Sequence, residues 1–187
     1  MDYRIPNVNN RRLKDPHVVI LGAGASIAAC KIDKNGRELP VLRNMHKILD
    51  LDGYLEGIDC IAGIDDFELI YSKLAELEEH RDLVRMLENE VVKYFRSLEL
   101  PDKITVYDYL ILSLTEKDII ISFNWDPLLL QAYRRNTMVG NLPKLAFPHG
   151  NAGVGLCYDC YNKGYYGDNC PDCNKKFNSM PLLFPVN

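Results

Sequence analysis

The sequence feature that most constrains the fold is the run VVILGAGAS at residues 18–26. Four aliphatic residues without polar alternation are typical of a strand that is buried on both faces. We expect the two glycines that follow to let the backbone turn sharply and approach a ligand closely. Ser26 then begins a stretch of small residues typical of a helix start, and a helix N-terminus attracts anions. We therefore predict a phosphate cradle at residues 22–26, for a nucleotide. The alternative is a tight strand–helix turn without a ligand.

The glycine pattern is only the beginning of a dinucleotide-binding fingerprint. The third small residue is Ala28 or Ala29 rather than a glycine. The acidic residue expected about 20 positions later, at the tip of a second strand, is replaced by the segment PVLRN at residues 40–44. The pattern therefore differs from that of an ordinary Rossmann dehydrogenase.

Length and composition favour a globular protein with one domain and a small insertion. The 187 residues are 47% hydrophobic, which is enough for a proper core. The net charge of −4 argues against binding to nucleic acid or to a membrane surface. No apolar run approaches the length of a transmembrane helix. The basic stretch at 11–14 and the apolar run ending at Cys30 imitate a lipoprotein signal, but Asp15 and Pro16 interrupt the junction. We therefore expect a cytoplasmic protein.

The remaining pattern alternates apolar runs with amphipathic segments. A polar loop at residues 31–40 is expected either to close over a ligand or to be a solvated linker. Helices between residues 41 and 115 are expected to pack as a layer beside the sheet, with Phe67, Ile70, Tyr71, Leu74 and Leu77 on the apolar face of one of them. We predict strands at 17–21, 118–123 and 144–147, and helices at 41–51, from 65 onward, at about 82–98, at about 105–115 and at 128–135.

Polar residues follow each predicted strand. Ser26 ends the glycine turn, Asn124 and Asp126 follow the second strand, and His149 follows the third. If the strands are parallel, all these loops lie at the carboxyl edge of the sheet, where ligands bind in open α/β folds. Taken singly, Asn124 is also compatible with a turn, Asp126 with a helix cap and His149 with a structural or surface histidine.

Four cysteines form the most specific motif of the chain. Cys157 and Cys160 make one Cys-x-x-Cys pair, and Cys170 and Cys173 make a second after nine intervening residues. Two such pairs supply four thiolates for a closed, structural zinc site, with the glycine-rich spacer at 161–169 as the tip of two short strands. A redox pair or an iron–sulfur site are the alternatives. Cys30 and Cys60 have no motif-like spacing. Two Cys-x-x-Cys pairs with two unrelated cysteines are typical of a protein in a reduced compartment.

The order of these motifs resembles the sirtuin family, and most closely the bacterial sirtuin-like proteins, many of them associated with phage defence. The resemblance implies an α/β fold with a Rossmann-like, mostly parallel sheet and an inserted zinc-ribbon module. The corresponding boundaries are 1–150 for the NAD-binding domain with a helical insertion at about 41–115, 151–180 for the zinc ribbon, and 181–187 for the start of a further strand. The strands that follow the zinc module in the family, the C-terminal part of its sheet, are expected to be missing.

The resemblance also implies the roles of the site residues. Residues Gly22, Ala23, Gly24, Ala25 and Ser26 would contact the NAD phosphates. Asn124 and Asp126 would contact the nicotinamide ribose region, with Asn124 orienting water or the carboxamide, and His149 would be the catalytic base. Zinc would be held by Cys157, Cys160, Cys170 and Cys173.

Two departures from the family bear on the reaction. Ser26 is followed by IAACKID instead of the segment typical of the deacylases, and the sequence SFNWD at 122–126 places Trp125 between the two polar residues. These changes weigh against an acyl-lysine channel more than against NAD binding. We therefore expect hydrolysis of NAD to ADP-ribose and nicotinamide, in antiphage defence. The alternatives are an NAD-dependent protein deacylase and an inactive nucleotide-binding or structural module. A homo-oligomer or a defence-system partner is compatible with the resemblance.

Overall fold

A computed structural model describes residues 15–184 of the chain. These residues form a mixed α/β structure with a parallel sheet, a set of helices and a small antiparallel sheet. The strands are β1 (Val18–Leu21), β2 (Ile119–Ser122), β3 (Lys144–Ala146), β4 (Val154–Leu156), β5 (Lys163–Tyr165) and β6 (Asn178–Ser179). The helices are α1 (Ala23–Ala29), α2 (Met45–Ile48), α3 (Asp52–Leu55), α4 (Phe67–Ala75), α5 (Arg81–Ser97), α6 (Val106–Ser113) and α7 (Leu128–Asn136).

The three predicted strands form one parallel sheet in the order β1-β2-β3. The register pairs Val18 with Ile119 and Ile121 with Ala146, so the three carboxyl ends lie at the same edge. This confirms that the polar loops after the three predicted strands lie at one edge of the sheet.

The prediction that β1 is buried on both faces is wrong for the described part of the chain. Val18 is 61% exposed and Ile20 is 67% exposed, whereas Val19 and Leu21 pack against the core. β1 is an edge strand, and helices cover only the face that carries Val19 and Leu21. The central strand β2 has the fully buried Ile120.

The helices between α1 and β2 form one hydrophobic core with the sheet. The buried residues of α5 are Val84, Leu87, Val91 and Phe95, and those of α4 include Phe67, Ile70, Tyr71 and Leu74. Leu77, which we placed on the apolar face of α4, lies beyond the end of this helix and is 36% exposed. The helix predicted at 41–51 is a 3-10 turn (Leu42–Asn44) followed by the single turn of α2, and the chain leaves it through Asp50 at a φ of 55°. Among residues 15–184, no helix combines the length and apolar character needed to cross a membrane.

The polar loop at 31–40 folds back on itself as a hairpin, with an antiparallel bridge between Ile32 and Glu38. The buried carboxylate of Asp33 accepts hydrogen bonds from the backbone N–H groups of Asn35, Arg37 and Glu99. The Tyr94 hydroxyl of α5 donates to the Glu38 carbonyl at 2.6 Å. These bonds fasten the loop to the end of α5, and its last residues lead into the segment at 40–45.

The cysteine-containing segment builds its own antiparallel sheet in the order β5-β4-β6. We expected the spacer 161–169 to be the tip of two strands, but β4 precedes Cys157, so the first cysteine pair is itself the turn between β4 and β5. Gly155 and Gly164 face each other in the register, and a Cβ on either would lie within 2.5 Å of the Phe177 side chain. The two glycines therefore let this ring pack flat on the strand pair.

The strand expected to start at residue 181 does not form within residues 181–184, and residues 185–187 lie outside the described residues. Pro181 lacks a backbone donor, and the N–H of Leu183 is bound to the His149 carbonyl at 2.9 Å instead of to a strand partner. Phe184 turns inward and joins the main core. This segment therefore packs against the loop after β3.

Candidate functional site

The loops after β1, β2 and β3 open onto one cavity of about 470 Å³. A polar side of the cavity comes from these loops, and an apolar side comes from the helical layer and the segments at 39–45 and 183–184. The polar lining consists of Gly22, Ser26, Asn124, Asp126 and His149 from the loops and of Glu68 from α4. The apolar lining comprises Ala23, Leu39, Pro40, Val41, Leu42, Met45, Phe95, Phe123, Trp125, Leu183 and Phe184.

The Ser26 hydroxyl is at the centre of the polar side. It donates a hydrogen bond to Asp126 Oδ2 at 2.7 Å and lies 2.8 Å from the Asn124 amide that donates to it. The Tyr107 hydroxyl, from the first turn of α6, lies 2.7 Å from the same oxygen and supplies the remaining proton. Ser26 therefore has three protein partners, and its hydroxyl holds Asn124 and Asp126 in place.

Asn124 is fixed by its amide nitrogen. Besides Ser26, Nδ2 donates to the Gly22 carbonyl at 2.9 Å, so both amide protons are used within the protein. The Oδ1 atom has no hydrogen-bond partner in the described part of the chain. The amide orientation that Ser26 and Gly22 impose leaves Oδ1 as the group available to a ligand hydroxyl or water.

Asp126 is buried at the floor of the cavity. Its Oδ1 atom accepts the Leu128 N–H at 3.1 Å, so it caps the first turn of α7 as well as receiving the Ser26 bond. Burial raises the pKa of this carboxyl, although the two hydrogen bonds oppose that effect. Burial and the nearby Asp126 charge also raise the pKa of the Tyr107 hydroxyl. In both groups, burial therefore disfavours the ionised form relative to the neutral form.

His149 enters the cavity from the loop after β3. Its ring lies edge-on to Phe123, with 4.9 Å between the ring centroids, and is half-buried. Neither ring nitrogen has a hydrogen-bond partner among residues 15–184. Gly150 follows at a φ of 81°, and a Cβ there would lie 2.3 Å from the Pro181 carbonyl. The close packing of residues 181–183 on this glycine positions the histidine.

The glycine turn differs from our expectation in one respect. Gly22 has a φ of −123°, which any residue adopts, and a Cβ at Gly22 or Gly24 would meet no atom within 4 Å. The sharp turn therefore does not require glycine for the protein's own backbone. At Gly22, which lines the cavity, the missing side chain leaves open space next to the site.

The apolar side of the cavity is built from four aromatic rings. Trp125 packs against Phe95 of α5, with 5.9 Å between the ring centroids, and against Phe184 at 4.8 Å. Its indole Nε1 is buried and has no hydrogen-bond partner in the described residues. Phe123 completes the set beside His149. A bound group with a hydrogen-bond acceptor near Trp125 would relieve the cost of this unpartnered donor.

Three residues of the site were missed by sequence reasoning. Tyr107 and Glu68 come from the helical insertion, and nothing in their spacing from the glycine turn indicates that α6 reaches Ser26 or that α4 reaches the cavity. Asn151 lies in the predicted loop but was given no role. It is fully buried, its Nδ2 donates to the Asp126 carbonyl at 2.6 Å, and its Oδ1 accepts the Gly153 N–H at 2.9 Å. It thereby ties the loop after β3 to the loop after β2.

The four predicted metal ligands come together in a small second hydrophobic core, which they form with Phe177. The sulfur atoms of Cys157, Cys160, Cys170 and Cys173 all lie within 4.8 Å of one another. Four sulfurs around a tetrahedral zinc, each at about 2.3 Å, are about 3.8 Å apart. The cluster could therefore hold a metal such as zinc, with no coordination position left for a substrate.

The two cysteine pairs have the same local geometry. In each, the N–H of the first cysteine donates to the carbonyl five residues later at 2.8 Å, and the residue after the second cysteine has a φ of 59°. Those two residues are Tyr161 and Asn174. Each pair therefore forms a turn that directs both sulfur atoms to one point.

The thiol electrostatics fit a bound cation. Hydrogen bonding from the Asn162 amide lowers the pKa of the Cys170 thiol to about 6. The hydrogen bond with Cys173, together with burial, raises the pKa of Cys160 to about 12. Adjacent thiolates repel one another, so a divalent cation is needed for all four to ionise.

No protein-family model matches this chain, and no curated protein does either.

Proposed function

We propose that the chain is a sirtuin-like enzyme that hydrolyses NAD to ADP-ribose and nicotinamide, and that its parallel sheet is a Rossmann-like core. The observation that carries this proposal is the meeting of Ser26, Asn124, Asp126 and His149 on one cavity at the carboxyl edge of the sheet. In open α/β sheets this edge is where nucleotides bind. The resemblance in motif order supplies the choice of NAD.

The reaction breaks the bond between C1′ of the ribose and the nicotinamide nitrogen. Both bonding electrons go to the ring nitrogen, so the pyridinium leaves as neutral nicotinamide while positive charge develops on the sugar. The oxygen of a water molecule then bonds to C1′ and releases one proton. The site must orient the ribose and the water, tolerate a developing cation and accept this proton.

Each polar residue has a role that its contacts support. Asn124 Oδ1, held by the bonds from Nδ2 to Ser26 and Gly22, accepts a hydrogen bond from water or a ribose hydroxyl. His149, whose ring nitrogens have no partner within residues 15–184, accepts the proton. Asp126, at the floor of the cavity and held by Ser26, accepts a hydrogen bond from a ribose hydroxyl. Ser26 acts through Asn124 and Asp126, and is a positioning residue.

The four cysteines hold a structural zinc in this proposal. The cluster belongs to the small second core with Phe177, whereas the cavity belongs to the main core. The metal would order the turns around β4 and β5 and take no part in cleavage. A role in antiphage defence is proposed on the resemblance alone.

The experiment that tests the proposal measures nicotinamide release from NAD by the purified chain, with and without an acetyl-lysine peptide. Release without peptide, accompanied by an equal amount of ADP-ribose, is the expected result. Release only with peptide would indicate a deacylase instead. No release in either case, with the protein folded and zinc bound, would contradict the enzymatic proposal and favour a nucleotide-binding or structural module.

A further inference from the structure

Glu68 brings a carboxylate to the cavity from the helical insertion. It lies in the first turn of α4, where its backbone N–H is bound by the capping residue Asp66 at 2.9 Å. Its side chain is half-buried and lines the cavity. Within the described part of the chain, this carboxylate has neither a hydrogen-bond nor an ion-pair partner. A half-buried acid without a protein partner is available to a ligand.

The cavity lining contains acidic side chains without a lysine or arginine among the described residues. It includes the two carboxylates Glu68 and Asp126, together with His149. The lining also includes the four aromatic rings of Phe95, Phe123, Trp125 and Phe184. Carboxylates attract a cation through space, and aromatic faces do the same through their quadrupoles. An anionic group placed beside Glu68 would be repelled by its carboxylate.

We propose that Glu68 is a specificity-determining residue that selects the positively charged nicotinamide ring of oxidised NAD over uncharged rings. This inference rests on the proposed function and names the part of the substrate that the cavity takes. Glu68 attracts the pyridinium charge from its position in the cavity lining. After cleavage the leaving group is neutral, so the attraction disappears and release of nicotinamide is favoured.

A first-turn acid also stabilises its own helix by interacting with the helix dipole. That role alone would make substitution of Glu68 lower the stability of α4 while affecting charged and uncharged ligands equally. The discriminating readout is therefore the preference between two ligands that differ in ring charge, rather than affinity for either one.

The test compares the dissociation constants of NAD⁺ and NADH by calorimetry. All chains carry His149→Ala, so that cleavage does not consume the ligand. Glu68→Gln removes the charge while keeping the shape of the side chain. Glu76→Gln makes the same change at the exposed C-terminal end of α4 and is the matched control. Thermal unfolding of each chain verifies that the fold is retained.

We expect the parent chain and Glu76→Gln to bind NAD⁺ more tightly than NADH. In Glu68→Gln the ratio of the NADH and NAD⁺ dissociation constants should fall by about tenfold. An unchanged preference in Glu68→Gln, with both ligands still bound, would overturn the role of Glu68 and leave the proposed function intact. Failure of every chain to bind either nucleotide, together with absence of turnover in the wild type, would overturn both.

Discussion

The Asn124 amide donates to the Ser26 hydroxyl at 2.8 Å, joining residues that are 98 positions apart in the sequence. This bond connects the turn after β1 to the loop after β2. Because the Ser26 hydroxyl also donates to Asp126, one small side chain sets the orientation of two groups that face the cavity. Ser26 therefore shapes the site by orienting Asn124 and Asp126.

Replacing Ser26 should impair both stability and turnover. Ser26→Ala leaves the Asp126 carboxylate, the Tyr107 hydroxyl and one Asn124 proton without their shared partner, at a cost of about 2 kcal/mol in unfolding free energy. We expect turnover of NAD to fall by about tenfold to a hundredfold, mainly in kcat, because Asn124 loses its orientation. Steady-state kinetics and denaturant unfolding measure the two effects.

Tyr107→Phe is the matched comparison for Ser26→Ala. It removes one hydroxyl from the same network but keeps the bonds from Ser26 to Asn124 and Asp126. Its kcat should remain within about threefold of the wild type, with a stability loss of about 1 kcal/mol. Equal losses of kcat in the two variants would contradict the positioning role of Ser26.

The open space at Gly22 leads to a second prediction, about nucleotide binding. Gly22→Ala should leave the melting temperature nearly unchanged, because the added Cβ meets no protein atom and the backbone is not strained. If a nucleotide approaches this backbone, the methyl group should weaken NAD binding by at least about tenfold. The control is Gly53→Ala in α3, outside the cavity lining, where an added Cβ also meets no protein atom and alanine should stabilise the helix by up to about 1 kcal/mol. Unaltered NAD affinity in Gly22→Ala would contradict a phosphate cradle at this position.

The cysteine cluster should bind about one zinc per chain, and this is measurable by metal analysis of the purified protein. Cys170→Ser should lose the metal and unfold the sheet of β4, β5 and β6, because Phe177 and the four cysteines form the hydrophobic cluster of this sheet within residues 15–184. Cys60→Ser, outside the cluster, should retain the metal. Equal metal content in the wild type and Cys170→Ser would rule out the four-cysteine site.

Asp108 should make stability depend on pH below about pH 5. Burial alone would raise the pKa of this carboxyl, but hydrogen bonds from Arg135, Thr105 and Asn136 outweigh burial and hold the pKa well below its usual range. The folded state therefore binds fewer protons than the unfolded state, and the contribution to stability is present above the ordinary pKa and disappears as pH falls.

Asp108→Asn should cost about 2 kcal/mol near neutral pH, because Arg135 loses its charged partner. The difference in unfolding free energy between wild type and variant should shrink between about pH 5 and about pH 3. Denaturant titrations at several pH values measure it, and parallel stability curves over this range would contradict the role of Asp108.

Much of the fold was predictable because it depends on local patterns. Aliphatic runs defined β1 and β2, and helical periodicity defined α4 and α5 to within a few residues. The cysteine spacing predicted which four sulfurs come together, because a Cys-x-x-Cys turn places its two sulfurs by itself. In each case the relevant interactions lie within about one turn or one strand of the chain.

The rest depends on contacts between distant segments. Exposure of Val18 and Ile20 depends on which face of the sheet the helices cover, and the β1 sequence does not specify this. Glu68 and Phe95 reach the cavity, and Tyr107 reaches Ser26, only through the packing of the helical insertion. Phe184 reaches the cavity from the segment at 181–184. Likewise, the segment at 181–184 packs on Gly150 instead of forming a strand, because Leu183 bonds to His149.

The central claim is that the cavity cleaves NAD with His149 as the proton acceptor. The most direct measurement compares nicotinamide release by the wild type, His149→Ala and His80→Ala, the last being a matched change at the start of α5, outside the cavity lining. We predict that His149→Ala lowers the rate by at least about a hundredfold with the fold and the metal retained, and that His80→Ala does not. A rate for His149→Ala within a few-fold of the wild type would contradict the claim.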